Sequence, residues 1–168
     1  MIFHCVRSAN NIVQDTCKKF VADDGRLNFD FCVKSLGSDS KSHEMDLDGL
    51  GLIAVKLLDA NYTGTIEYIK QLQKQISEPR LLKALSLCLR VYNFLDIKEL
   101  IPVYKAKRHA DAGMLVSAVL TNEETCDTQV SRTKGMVPPL TKHNADIYQL
   151  SGIALKIVAI LRERAKGM

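Results

Sequence analysis

The chain has 168 residues and a net charge of +4, with 46% apolar and 25% charged residues. This length suits one domain with a hydrophobic core, and the composition is ordinary for a globular protein. The positive charge is small and spread along the chain, which disfavours a nucleic-acid partner. No stretch looks apolar over the length of a membrane span. We therefore expect neither a nucleic-acid-binding nor a membrane protein.

The five cysteines are widely spaced and call for disulfides in an oxidising compartment. None lies in a C-x-x-C pair or at zinc-ligand spacing from a histidine, so we expect no metal site. No partner base for a catalytic cysteine is evident. An odd count means that at least one thiol is unpaired or pairs with another chain, and the cysteine closest to the N-terminus is the natural choice. The five are Cys5, Cys17, Cys32, Cys88 and Cys126.

The N-terminal residues 1–10 are predicted to be a flexible tail before a single domain over 11–168. The opening residues Met1–Cys5 have no basic segment and no apolar run long enough for a secretory signal. A secreted form would therefore have lost its signal or would derive from a longer precursor.

Two short helices are predicted at about 11–22 and 28–36, because apolar residues recur at helical spacing on both sides of the turn signal Asp23-Asp24-Gly25. Together with the loop to residue 40 they form a hairpin over 11–40. A bridge between Cys17 and Cys32 would staple it, and a loop of that size contributes about 3 kcal/mol in the chain-entropy model.

Four long helices are predicted over 41–168. They cover about 43–76, a segment with apolar residues from Leu82 to Leu95, about 106–131, and about 141–164. Because their connections are short, we expect antiparallel neighbours and an all-α, up-down-up-down four-helix bundle. A bridge between Cys88 and Cys126 would lock two neighbouring long helices, with a contribution of about 4 kcal/mol.

Helix boundaries are predicted from capping and proline signals. Ser77 is expected to cap the second long helix, with Pro79 in its first turn. Pro102 is expected to break or bend the chain. Residues 135–139 are expected to form a linker before a helix capped by Thr141.

Several short motifs together carry a resemblance to a known family. They are Thr16-Cys17 with Phe31-Cys32 and Leu36, Pro79-Arg80-Leu81 with Ala84-Leu85, Cys88 and Tyr92, and Leu115–Leu120 with Thr125-Cys126, Pro139–Lys142, Asn144 and Ile153–Leu155. With these residues nearly the whole chain resembles the plant invertase inhibitor and pectin methylesterase inhibitor family. Within it, the chain is most similar to invertase inhibitors, a branch that includes a plane-tree pollen allergen.

The resemblance implies a helical hairpin projecting from a four-helix bundle, with disulfides Cys17–Cys32 and Cys88–Cys126. Cys5 has no counterpart in the family. Members are secreted to the cell wall or vacuole and form one-to-one complexes with plant glycosidases or esterases, without a cofactor. The resemblance therefore implies a secreted, non-enzymatic inhibitor whose partner is a protein.

Some family members that inhibit invertase present a Pro-Lys-Phe motif to the substrate cleft of the target. The matching positions here are Pro79, Arg80 and Leu81. Arginine keeps the charge and adds a planar fork that pairs with carboxylates, but leucine lacks the aromatic ring. The resemblance thus predicts that these three residues contact a plant acid invertase and help to occlude its cleft.

Two other functions stay open at this point. Pectin methylesterase could be the target, bound by a face of the bundle. Alternatively, the chain is a secreted pollen protein and allergen without inhibitory activity. An enzyme is disfavoured because no catalytic constellation is visible. Glu123 and Glu124, for example, are adjacent on a helix and cannot face each other as an acid–base pair.

For two remaining features we favour interpretations that give them no specific function. The basic run of Lys105, Lys107, Arg108 and His109 is expected to be a solvated connection between helices rather than a polyanion site. Asn61-Tyr62-Thr63 is a glycosylation sequon, but it lies inside a predicted helix, so we expect Asn61 to be unmodified.

Overall fold

The computed structural model describes residues 11–133 and 138–168, with the side chains of residues 138 and 139 left aside. These residues form seven α-helices and two 3₁₀ turns, and the described part contains no β-strand. The all-α prediction is confirmed. Cys5, the predicted tail and the first part of the predicted 135–139 linker lie outside the described residues.

The N-terminal hairpin consists of α1 (Ile12–Asp23) and α2 (Phe29–Leu36). Each helix begins after an asparagine that caps it: Asn28 Oδ1 accepts from the Phe31 amide at 2.8 Å, and Asn11 occupies the same position before α1. Both boundaries fall within a residue or two of the prediction. The buried cysteines Cys17 and Cys32 are joined across the hairpin.

The bundle follows after a 3₁₀ turn at Ser42–Glu44. Its four long helices pack in a ring in which α3 contacts α4, α4 contacts α6, α6 contacts α7, and α7 closes on α3. A second 3₁₀ turn and one short helix connect α4 to α6. The helices are α3 (Leu47–Gln75), α4 (Pro79–Phe94), α5 (Leu100–Lys105), α6 (His109–Ser131) and α7 (Pro138–Lys166).

Neighbouring long helices run antiparallel, as contacts between residues far apart in the sequence require. The ring centroids of Tyr62 on α3 and Tyr92 on α4 are 4.6 Å apart, and Gln73 further along α3 donates to Ser86, earlier on α4, at 3.1 Å. Residues 126 of α6 and 144 of α7 meet in the same region of the core. The up-down-up-down prediction is therefore confirmed.

Several predicted boundaries need correction. Asp46, whose side chain accepts from the Gly49 amide at 2.9 Å, caps α3, so His43 lies in the preceding 3₁₀ turn. Glu78, not Ser77, caps α4. Thr141 lies inside α7, which already begins at Pro138. In each case a different polar or proline residue starts the helix, and the apolar periodicity alone does not choose between them.

Pro102 does not break the chain but lies in the first turn of α5. At that position the missing N–H has no intrahelical acceptor, so proline is tolerated. The predicted helix from 106 is shorter at its start, because Lys107 has a left-handed φ of 60° and α6 begins only at His109.

The C-terminal helix also corrects the expectation about membrane spans. By length and composition, Leu140–Lys166 is apolar enough to cross a membrane, with a window of mean hydropathy 1.2. In the bundle, however, this helix packs against both α3 and α6, and 44% of that window is buried. Its apolar face is thus used by the protein core.

Hydrogen bonds and packing connect the hairpin to the bundle. The Gln149 amide on α7 accepts from the Asn28 backbone at 2.8 Å and donates to the Arg26 carbonyl at 2.9 Å. Leu27 is buried and packs over Gly152, where any Cβ would lie 2.7 Å from the leucine Cδ2. These contacts anchor the turn of the hairpin to α7.

Candidate target-binding site

The predicted contact residues lie at the first turn of α4. The Glu78 carboxylate accepts from the Leu81 amide at 2.5 Å and so fixes the turn that carries Pro79 and Arg80. Pro79 is the first helical residue, where its fixed φ suits the helix. Both Pro79 and Arg80 are exposed. The turn therefore presents a cation on a rigid, pre-formed support.

Leu81 is placed differently from the other two residues. Only 6% of it is exposed, and it belongs to the core of the bundle. Its side chain anchors the first turn of α4 and does not present a contact surface. The exposed part of the motif is therefore Pro79 and Arg80, and contact of Leu81 with the target stays a prediction.

A disulfide holds α4 against α6 below this turn. Cys88 and Cys126 are both fully buried and are bonded to each other, with their Cα atoms 4.6 Å apart. This and the Cys17–Cys32 bridge are the pairings that the family resemblance implied. A helix pair joined in this way keeps the residues along both helices in fixed register.

A buried polar network joins all four long helices behind the disulfide. The Tyr92 hydroxyl donates to Asn144 Oδ1 at 3.0 Å, and the Tyr62 hydroxyl donates to the Tyr92 carbonyl at 3.0 Å. The Asn122 amide donates to the Tyr62 hydroxyl at 2.8 Å. Burial raises the pKa of Tyr62 to about 12 and that of Tyr92 further. Tyr92 and Asn144, two of the residues on which the family resemblance rests, are structural residues.

Glu123 is a buried acid on α6, whereas its neighbour Glu124 is exposed. Burial, with a smaller contribution from the nearby carboxylates of Asp127 and Glu124, raises the pKa of Glu123 to about 8. The two adjacent glutamates occupy different environments, so they do not form a facing pair. Nothing in this arrangement resembles a catalytic dyad.

The basic run at the start of α6 is largely neutralised. Lys107 pairs with Asp48 on α3, and Arg108 pairs with Asp111 one turn further along α6, at 2.6 Å. The Tyr104 hydroxyl also donates to the Asp48 carbonyl at 2.8 Å. These contacts agree with a connection between helices and leave few free charges there.

The sequence motifs did not reveal a second basic region, a groove between α4 and α6 with a volume of about 520 Å³. Arg80 lies in this groove together with Lys83 and Arg90 of α4 and Arg132 at the end of α6. These residues are dispersed in the sequence, and only the antiparallel packing of α4 and α6 brings them together. The sequence signal that could have revealed this groove is the helical spacing of the cations from Arg80 to Arg90.

Asn61 lies within α3 and is half-buried. Its side-chain amide donates to the Leu57 carbonyl at 2.9 Å, in the preceding turn of the same helix. This contact is consistent with an unmodified asparagine, which stays a prediction. Among the described residues there is also no cluster of three or more His, Cys, Asp or Glu side chains that could hold a metal ion.

The comparisons with known proteins agree with this fold. The model of the plant invertase/pectin methylesterase inhibitor family matches residues 11–157. A protein of Platanus acerifolia named "Putative invertase inhibitor" is 39% identical over 163 residues, covering 96% of this chain and 90% of that protein. A "Pectinesterase inhibitor" of Actinidia deliciosa is 24% identical, over 84% of this chain and 74% of that protein.

Solved structures show the same fold. A pectin methylesterase inhibitor from Arabidopsis thaliana aligns with a TM-score of 0.67 and 24% identity, over 90% of this chain and 97% of that one. A mutant form of such an inhibitor from Arabidopsis aligns with a TM-score of 0.72 and 23% identity, over 83% and 96%. These similarities show that the stapled hairpin and bundle have the fold of such inhibitors. The chain belongs to the plant invertase/pectin methylesterase inhibitor family.

Proposed function

We propose that this protein inhibits a plant acid invertase by placing the first turn of α4 in the substrate cleft of the enzyme. The observation that carries this proposal is the 39% identity, over nearly the entire chain, to the protein named "Putative invertase inhibitor". The similarity to the named pectinesterase inhibitor is considerably lower. The exposed Pro79-Arg80 pair supplies a local surface that suits this role.

Arg80 is well placed for such a contact on physical grounds. Glycosidase clefts carry a pair of carboxylates for catalysis, and an arginine fork can pair with one of them through two hydrogen bonds. Because the Glu78 cap and buried Leu81 already order the turn, little conformational entropy remains to be lost on binding. The enzyme would be inhibited because the bundle behind this turn excludes its substrate.

The test is an inhibition assay at mildly acidic pH with the oxidised protein against a plant acid invertase and a plant pectin methylesterase. We expect inhibition of invertase, and Arg80→Ala should weaken it by about 10- to 100-fold, as expected for an arginine at the centre of an interface. Arg162→Ala removes an exposed arginine from the opposite end of the bundle and should leave inhibition unchanged. Equal losses in the two variants would contradict a specific role for Arg80.

A pectin methylesterase is the second candidate target, and the Actinidia relative named as a pectinesterase inhibitor favours it. The contact would then be a face of the bundle, so Arg80→Ala should have little effect. Inhibition of the esterase alone in the assay above would select this function. If neither enzyme is inhibited, a secreted pollen protein without inhibitory activity becomes the better proposal.

We also propose that the chain has no catalytic activity and acts outside the cytosol. The family name describes inhibitors, and two buried disulfides are typical of proteins from oxidising compartments. Release of sugar or methanol by the purified chain, incubated with sucrose or methyl-esterified pectin, would contradict the first point. Reduced cysteines in protein isolated from its native tissue would contradict the second.

A further inference from the structure

The groove between α4 and α6 is strongly one-sided in its charge. Arg80, Lys83, Arg90 and Arg132 line it, and no acidic residue does. None of the four forms an ion pair with any residue in 11–133 or 138–168. The other lining residues are small, polar or aliphatic, and they are Ala84, Ser86, Leu87, Gln129 and Thr133.

Three of the four cations lie along α4, and the fourth lies beside them at the end of α6. Arg80 and Arg90 are ten residues apart on α4, which corresponds to about 15 Å along a helix axis. The Cys88–Cys126 disulfide fixes α6 beside α4, so that Arg132 faces the groove from the other wall. A single compact anion cannot contact cations spread over this length. The arrangement suits an extended ligand with several negative charges.

We propose that this groove binds a linear acidic polysaccharide, with a carboxylate on successive sugar units. Arginine forks pair well with carboxylates, and three of the four cations are arginines. Ser86, Gln129 and Thr133 supply hydrogen-bonding side chains beside the cations, as sugar hydroxyl groups require. The aliphatic side chain of Leu87 offers an apolar contact for the face of a sugar ring.

The composition of the groove disfavours two other polyanions. Protein interfaces depend on large apolar or aromatic anchors, and the large exposed apolar residues of the described chain, Phe94, Met114 and Met168, lie outside the groove. Single-stranded nucleic acids require aromatic side chains on which bases stack, and no aromatic residue lines the groove. The proposal rests on the groove alone and does not require that an enzyme is the target of α4.

The experiment measures the binding of an oligogalacturonate with free carboxylates, long enough to span the groove, to the oxidised full chain by calorimetry. We expect binding that weakens as salt is added, because it depends on several ion contacts. The same oligomer with its carboxylates methyl-esterified should bind at least tenfold more weakly. Equal binding of both oligomers, or no binding of the free acid, would overturn the proposal.

Matched variants locate the site. Arg90→Gln/Arg132→Gln should weaken binding of the free oligomer at least tenfold. Arg162→Gln/Lys18→Gln removes the same charge from exposed positions outside the groove and should change binding less than twofold. Circular dichroism would verify that both variants are folded. Equal losses in the two variants, or tighter binding of a polyaspartate peptide or of single-stranded DNA than of the oligogalacturonate, would contradict an acidic-polysaccharide groove.

Discussion

The protein has two basic regions, and they differ in how their charges are used. The run from Lys105 to His109 is dense in the sequence, but Asp48 and Asp111 neutralise two of its cations. The α4–α6 groove is dispersed in the sequence, and its four cations have no ion-pair partner in the described part of the chain. The density of charge along a sequence therefore says little about the charge available to a ligand. What decides is which acidic residues the fold places beside it.

The two regions also differ in their support. The groove depends on the disulfide that joins α4 to α6, so its loss should have the largest effect on stability. We expect Cys88→Ala/Cys126→Ala to lower the free energy of unfolding by about 4 kcal/mol, from a closed loop of 38 residues. Urea unfolding measures this loss, and hydrogen exchange should show reduced protection in α4 and α6.

The matched variant is Cys17→Ala/Cys32→Ala, which opens a loop of 15 residues in the hairpin and should cost about 3 kcal/mol. It should leave the binding of oligogalacturonate unchanged. If the hairpin variant abolished that binding while the bundle variant retained it, the groove would not depend on the α4–α6 clamp.

Glu123 lies on α6, one of the two helices that form the groove, but it is buried and does not line the groove. This side chain is buried on α6, and its pKa is raised to about 8 mainly by burial. The folded state therefore holds a proton that the unfolded chain releases near pH 4.5. Its contribution to stability is complete below that pH, is lost as pH rises towards 8, and then stays constant.

Glu123→Gln should remove this pH dependence. We expect the free energy of unfolding of the original protein to fall by about 2 kcal/mol more than that of the variant between pH 5 and pH 8, allowing for partial screening by water. Urea unfolding at the two pH values measures the difference. Parallel profiles would show that Glu123 is ionised in the fold and that its pKa is not raised.

Tyr92 lies on the core side of the same helix that carries Arg80 and Arg90. Tyr92→Phe leaves Asn144 Oδ1 without the buried hydroxyl that donates to it at 3.0 Å, so we expect a loss of about 1–2 kcal/mol in the free energy of unfolding. Tyr148→Phe is the control, since its ring is only partly buried and should tolerate the change. A similar loss in both would mean that the network does not hold α4 in place.

Much of the architecture could be predicted from the sequence. Apolar periodicity located the four long helices, because each buries one continuous stripe against its neighbours. The first residues of the helices were harder to predict. Ser77 and Glu78 both precede Pro79, and only the structure shows that the glutamate accepts from the Leu81 amide. Capping depends on backbone dihedrals that residue type constrains only weakly.

The candidate site was harder to predict from the sequence than the fold. The motif located Arg80 but also included Leu81, which the structure buries in the core. Helical periodicity does distinguish buried from exposed positions, but the motif crosses from one face to the other within a single turn. Arg90 and Arg132 line the same groove only because two antiparallel helices are aligned in a particular register. No local sequence pattern encodes that register.

The smallest expected effect is the most direct test of the comparison between the two basic regions. If Asp48 and Asp111 keep the Lys105–His109 run from binding polyanions, then Asp48→Asn/Asp111→Asn should release Lys107 and Arg108. Asparagine retains the backbone carbonyl that accepts from Tyr104, so the fold should persist. In a protein that also carries Arg90→Gln/Arg132→Gln, we expect oligogalacturonate affinity to rise about threefold, the modest effect of breaking surface ion pairs.

The control must raise the net charge by the same amount at other positions. Asp15→Asn/Asp30→Asn does so at two exposed positions of the hairpin, which form no ion pair within residues 11–133 and 138–168. A local cause predicts that only the Asp48/Asp111 variant gains affinity in calorimetry. If both variants gain equally, the net charge of the protein governs polyanion binding. The unpaired cations of the groove would then have no advantage over those of the run, because position would matter less than total charge.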